Sequence, residues 1–216
     1  MARTAGKKAL SQERILRAAV RYADRHGLDG LNMRKLAGLL DAGVMSLYHY
    51  FANKDELLDA MVEWVAGQIQ IPDPGLPWRR AVRELSVSAY QTLRKHAWVG
   101  AIWSKRTLGP AKLKYMESIL RILREGGFPV ALACDAYHAI TVHVHGYTLQ
   151  AIDFPVKKKD MHSAAAGFLA NIEDPESIPY FVEHVQHHLD HSGSGDTFGM
   201  MLDLMLDGFE NALAAQ

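Results

Sequence analysis

Apolar residues recur every three to four positions from Ile15 to Phe209, and no stretch alternates in the two-residue rhythm of a strand. That feature restricts the chain to an all-α fold, and the breaks between periodic runs show how the helices group. Ser11 is placed to cap a helix running to about His26. Glu13 stands in its first turn, Ile15, Ala19, Tyr22 and Ala23 line one side, and Gly27 stops it. Asn32 opens a second helix over about 33–40, with Leu36, Leu39 and Leu40 available for packing, and Asp41-Ala42-Gly43 breaks it. A third short helix is expected over about 44–50. Asn53 and Glu56 have the spacing of a capping box, opening a fourth helix that carries Leu57, Leu58, Met61, Trp64 and Val65.

Pro72, Pro74, Gly75 and Pro77 form the clearest joint in the chain. Beyond it, helices are expected over 78–95, 97–105, 111–125, 130–152, 160–171, 180–191 and 197–213. Asp135 is the only acidic or basic residue within 130–152 if histidine is counted neutral, so burial on several sides, including by a second subunit, is expected. The last helix presents Phe198, Met201, Leu202, Met205, Leu206 and Phe209 as one broad apolar face, with Leu206 expected at the subunit interface. The organisation is a flexible basic arm (1–10), a small helical head (11–60) and a larger helical body (61–216).

Charge separates head from body. The chain has 24 Lys+Arg and 24 Asp+Glu, yet residues 1–35 hold nine basic groups against three acidic. A basic N-terminal portion on a faintly acidic body points toward nucleic acid, although basic tails are common. Cys134 is the only cysteine, which excludes a disulfide framework and a four-cysteine zinc site, and its expected place is the core. No apolar run approaches the ~18 residues of a membrane span, so a cytoplasmic protein without membrane contact is expected. An enzyme is not expected: paired Glu-x-x-His motifs, a glycine-rich phosphate loop and a Gly-x-Ser-x-Gly elbow are all absent. No cofactor or metal is expected either. His184, His187, His188 and His191 have helical spacing that could gather imidazoles, but a polar helix face explains them as well. His143 and His145 point about 200° apart on a helix and cannot share an ion.

Residues 32–51, NMRKLAGLLDAGVMSLYHYF, have the proportions of a DNA-reading helix-turn-helix. Leu31, Met33-Arg34-x-Leu36-Ala37, Leu40, Leu47-Tyr48-x-Tyr50-Phe51 and Asn53-Lys54-x-x-Leu57-Leu58, with Ile15-Leu16-x-Ala18-Ala19 before them, resemble the tetracycline-repressor (TetR) family of bacterial regulators. More loosely, His96-x-Trp98, Gly109-Pro110, Gly127-Phe128, Gly146-Tyr147-Thr148-Leu149 and Leu206-Asp207-Gly208 resemble the ligand and dimer domain of the tetracycline-repressor branch. One position departs: the family commonly has Gly-Val after the leucine of the turn, and this chain has Asp41-Ala42. Aspartate tolerates the left-handed backbone that glycine usually supplies there.

The resemblance implies that Gly43, Val44, Met45 and Ser46 open the recognition helix, with Tyr48, His49 and Tyr50 following. Val44 and Met45 can meet only apolar features such as a thymine methyl, and Ser46 discriminates poorly alone. Tyr48 and Tyr50 carry hydroxyls toward phosphates, and Tyr48 could equally close the small core. Lys54 is expected to clasp a phosphate with the amides of its helix, and Asn32 and Arg34 to flank the backbone at the other end. Arg3, Lys7 and Lys8 either touch a groove or are disordered.

In the body, Trp64, Trp98, Ile102, Trp103, Tyr115, Met116, Ile119, Tyr137, Thr141, His145 and Tyr147 have the make-up of a small-molecule pocket, and also of an ordinary helical core. The tetracycline branch holds a magnesium–drug complex with a histidine and a Thr-Arg-Pro turn. The nearest match is Lys105 through Gly109-Pro110, with no histidine in place, which argues against that chelate. The expected protein is a homodimeric, ligand-responsive DNA-binding regulator, a repressor released from a palindromic operator by a small apolar or aromatic effector. A transcriptional activator of the same fold and a nonspecific DNA-architectural dimer are the alternatives.

Overall fold

The computed structural model describes residues 9–153, 161–190 and 196–215, which contain ten α-helices and no strand. Arg3, Lys7, Lys8, Lys157–Lys159 and His191 lie outside the described residues. The head comprises α1 (Gln12–His26), α2 (Met33–Leu40) and α3 (Val44–Tyr48), and α4 (Lys54–Ala66) leads away from it. The body follows as α5 (Trp78–Lys95), two 3₁₀ turns (Ala97–Val99 and Trp103–Lys105), α6 (Pro110–Glu125) and α7 (Val130–Asp153). A hairpin of α8 (Met161–Ala170) and α9 (Pro179–Asp190) precedes α10 (Thr197–Ala214).

Each head helix starts where its cap dictates. Ser11 Oγ accepts from the Arg14 amide, Asn32 Oδ1 from Lys35 and Asn53 Oδ1 from Glu56, at 3.2, 2.9 and 2.8 Å. Such caps are each worth about 1 kcal/mol. Glu56 reaches back one residue further than in the usual capping box, to the Ala52 amide at 2.6 Å. Asp41 adopts the left-handed conformation that ends α2, with φ 49° and ψ 51°. The substituted turn therefore retains its backbone form. α3 ends at Tyr48, two residues earlier than its periodicity suggests, and Tyr50 and Phe51 amides return to the Leu47 carbonyl.

Ile15, Ala19, Leu36, Leu47, Phe51, Leu57 and Met61 are buried together, and through Val62 and Val65 of α4 the same apolar cluster continues into the body. Leu39 does not join it, being 54% exposed. The inward stripe of α2 is Met33, Leu36, Ala37 and Leu40, and Leu39 stands about 100° to one side of Leu40.

Two expectations for the body need correction. Cys134 is exposed, because the inner line of α7 is Ala133, Ala136, Ile140, Val144 and Thr148. The apolar face of α10 is divided: Phe198, Leu202 and Leu206 are buried within the chain, while Met200, Met201 and Leu204 are exposed. Leu206 is therefore a core residue, not an interface residue. The outer side of α7 exposes Val130, Val142 and Leu149 in the same way.

Candidate nucleic-acid interface and effector core

α2, α3 and the start of α4 enclose a groove of about 580 Å³ lined by Asn32, Met33, Arg34, Val44, Tyr48, Ala52, Asn53 and Lys54. Five sequence-predicted residues thus meet in one place: Asn32, Arg34, Val44, Tyr48 and Lys54. Met45, Ser46 and His49 are exposed beside it, and Gly43 caps α3 without a side-chain bond. Arg34 and Lys54 make no ion pair with the described residues, so both charges remain available to an anion. Lys54 is the first residue of α4, where unpaired amides and the helix dipole favour negative charge. Tyr50 is committed elsewhere: its hydroxyl donates to the Leu10 carbonyl at 2.9 Å, fastening the chain entering α1. Asn32 and Asn53 likewise spend their carbonyl oxygens on caps and keep their amide N–H groups.

α4 connects this face to the body through three carboxylates four residues apart. Arg106 Nη1 lies 2.7 Å from Asp55 and 3.6 Å from Asp59, and the Thr107 hydroxyl donates to Asp59 at 2.9 Å. Glu63 accepts the amides of Ala111 and Lys112, the second and third residues of α6. Gly109 precedes α6 and has no side chain with which to cap it. Glu63 supplies the cap from another helix, and a Cβ on Gly109 would collide with its carboxylate. Lys112 is buried, and its ammonium donates to the Trp103 and Arg106 carbonyls at 2.6 and 3.0 Å. Burial lowers its pKa, against the pull of Asp59 and Glu63.

The aromatic residues predicted for the body fall into three groups. At the head–body junction, Asp24 of α1 meets both His96 Nδ1 and Trp98 Nε1 at 2.8 Å, and Trp64 packs edge-on to His96 at 5.8 Å. A second group surrounds Trp103, whose ring lies 6.1 Å from Tyr115 and 5.5 Å from His145, with Lys112 Nζ 5.2 Å from its centroid. Ile119 is buried and Met116, Ile102 and Tyr137 are half-buried. Tyr147 belongs to a third group with His143, Tyr90 and Phe198, where Tyr90 stacks on Phe198 at 4.1 Å. The Thr141 hydroxyl bonds to its own helix at the Tyr137 carbonyl, 2.9 Å away.

His145 is held neutral, its pKa lowered to about 4 by burial and then by the Lys112 charge. Tyr115 is pushed upward by burial, so its hydroxyl stays protonated. Sequence reasoning missed Asp24, Glu63 and Arg106, whose partners lie tens of residues away, and Lys112, whose carbonyl partners are only six and nine residues back but are brought to it by an irregular turn. Among the described residues no three His, Cys, Asp or Glu side chains gather as a metal site, and no helix is long and apolar enough to cross a membrane. His191 and the side chain of His188 fall outside that statement.

A head that presents cations beside a short exposed helix, on a body rich in aromatics, matches known proteins over most of its length. Residues 15–61 match the tetR family of bacterial regulatory proteins, and residues 71–213 match the tetracyclin repressor-like C-terminal domain. The chain belongs to the TetR family. Family members are DNA-binding regulators rather than enzymes. The transcriptional repressor DrrR1 of Streptomyces coeruleorubidus is 34% identical over 150 residues, 67% of this chain and 53% of that protein. The chain therefore spans only about half the length of that relative. The class D tetracycline repressor of Escherichia coli is 28% identical, with 95% of this chain and 92% of the repressor covered. Apo ActR of Streptomyces coelicolor superposes with a TM-score of 0.74 at 28% identity, covering 95% of this chain and 97% of ActR. ActR in complex with actinorhodin gives 0.68 at 28% identity, with 96% and 98% covered.

Proposed function

We propose that this TetR-family protein is a homodimeric repressor that leaves a palindromic operator when a small aromatic effector enters the body. The observation carrying this reading is the acidic side of α4. One end of that helix places Lys54 in the groove between α2 and α3, and Asp55, Asp59 and Glu63 hold segment 106–112, which packs against Trp103 and leads into Tyr115. A rearrangement around Trp103 must pull on α4. α3 offers too little area for tight site selection alone, so two copies read two half-sites about 34–36 Å apart. A small tilt of α4 alters that spacing.

The exposed outer sides of α7 and α10 provide the dimer surface, as Val142, Leu149, Met200, Met201 and Leu204 leave apolar area uncovered. An effector that prefers the DNA-incompetent form ~100-fold supplies roughly 2.7 kcal/mol of coupling. The structure of ActR with actinorhodin supports an aromatic effector by analogy. Lys105 at the turn before α6, and no histidine beside it, argue against a magnesium chelate. The test is affinity selection of genomic fragments, followed by footprinting. Protection of one short palindrome is expected, and uniform coverage would instead establish an architectural protein.

A further inference from the structure

Two buried polar atoms around Trp103 have no hydrogen-bond partner among the described residues: the Tyr115 hydroxyl and His145 Nε2. Tyr115 is 1% exposed, so bulk water does not solvate its hydroxyl. Leaving such a group unsatisfied is costly, which makes a pair in one aromatic cluster unusual. Both rings pack on the same indole, at 6.1 and 5.5 Å, so their separation cannot exceed the sum of those distances. Lys112 Nζ lies over that indole with two carbonyl acceptors, and an ammonium has three protons to donate.

From this geometry we infer that the effector is an uncharged, metal-free, oxygenated aromatic, offering a carbonyl oxygen to Tyr115 and a hydroxyl or second carbonyl to His145. The inference rests on reading the body as the effector chamber, and adds the ligand's chemistry. Each preference has its own cause. A buried phenol that stays protonated donates, so its partner must be an acceptor. A neutral imidazole accepts or donates according to tautomer, which suits a hydroxyl or a carbonyl. The Lys112 ammonium repels a cationic ligand and also a metal ion approaching His145. The indole and Ile119 supply the flat apolar contact that a ring system needs.

The test uses a dihydroxyanthraquinone and anthracene as probes, because they share a ring frame and differ in oxygens. Binding to the full chain is followed by tryptophan emission and calorimetry in EDTA. The quinone should bind at least about tenfold more tightly than anthracene. Tyr115→Phe and His145→Leu should each weaken quinone binding about tenfold and leave anthracene binding unchanged. Neither should lower the melting temperature, since each removes an orphaned polar atom. Should His145→Leu pack poorly, Tyr115→Phe carries the test alone, because it deletes a single oxygen. Equal affinity for the two probes, no quinone binding, or variants that bind the quinone like the wild type would overturn the inference. Operator release by another compound, indifferent to both substitutions, would overturn this chemistry and leave the effector reading intact. If no compound that binds the body changes operator affinity, the effector reading itself falls.

Discussion

Glu63 of α4 caps α6 by accepting the amides of Ala111 and Lys112, 48 and 49 residues further along the chain. It replaces the side chain that Gly109 lacks, and places a carboxylate at the positive end of a 16-residue helix. Glu63→Ala should cost about 1–2 kcal/mol, as a lost N-cap does. Glu63→Gln keeps an acceptor and should cost less. Gly109→Ala should mimic Glu63→Ala, because its methyl displaces the carboxylate. Urea unfolding of the three variants checks the order, and a Gly109→Ala protein as stable as the wild type would remove the clamp.

The division of α10 makes the dimer testable without guesswork. Leu204 is 59% exposed and Leu206 fully buried in the single chain. Leu204→Asp should yield a folded monomer, whereas Leu206→Asp should lose helicity and thermal stability by several kcal/mol. Sedimentation with circular dichroism separates the two. A Leu204→Asp protein that stays dimeric would place the interface elsewhere.

His145 gives the protein a pH dependence of known sign. Its folded pKa of about 4 lies below the ordinary 6.5, so the unfolded chain binds more protons between those values. Stability contributed by keeping it neutral is fully present above about pH 6.5 and is lost as pH falls toward 4. The contribution is of the order of 3 kcal/mol at most. Unfolding free energies at pH 5 and 7.5 should differ less in His145→Leu than in the wild type. Identical differences would assign the acid sensitivity to other groups.

Lys54 and Ser46 test the DNA face in opposite ways. Lys54→Ala should weaken good and mutated operators alike and reduce the salt slope by about 1. Ser46→Ala should change the ratio between sequences if the hydroxyl meets a base. A Lys54→Ala protein with unchanged affinity and slope would take that lysine off the interface.

What could be read from sequence was local. Ser11, Asn32 and Asn53 mark helix starts because a cap acts within three residues, and the helix-turn-helix is one contiguous string. Asp41 is legible because its position in the turn demands a left-handed backbone. Burial was harder wherever a helix has apolar residues on more than one side. The places of Leu39, Cys134 and Leu206 do not follow from the sequence, because periodicity gives a stripe and not the direction of the neighbouring helix. The aromatics of the body read as one set in the sequence, whereas their division into three clusters depends on tertiary contacts. The Glu63 cap and the orphaned atoms of Tyr115 and His145 are invisible in sequence for the same reason.

In the proposed mechanism the aromatic core and the DNA face are coupled through α4. The direct measurement is operator affinity with and without a saturating effector, for the wild type and Glu63→Gln, in EDTA. A drop of about 100-fold is expected in the wild type and a clearly smaller one in Glu63→Gln, whose neutral side chain holds α6 less firmly. Equal operator affinity with and without a compound shown by calorimetry to occupy the Trp103 cluster would contradict it.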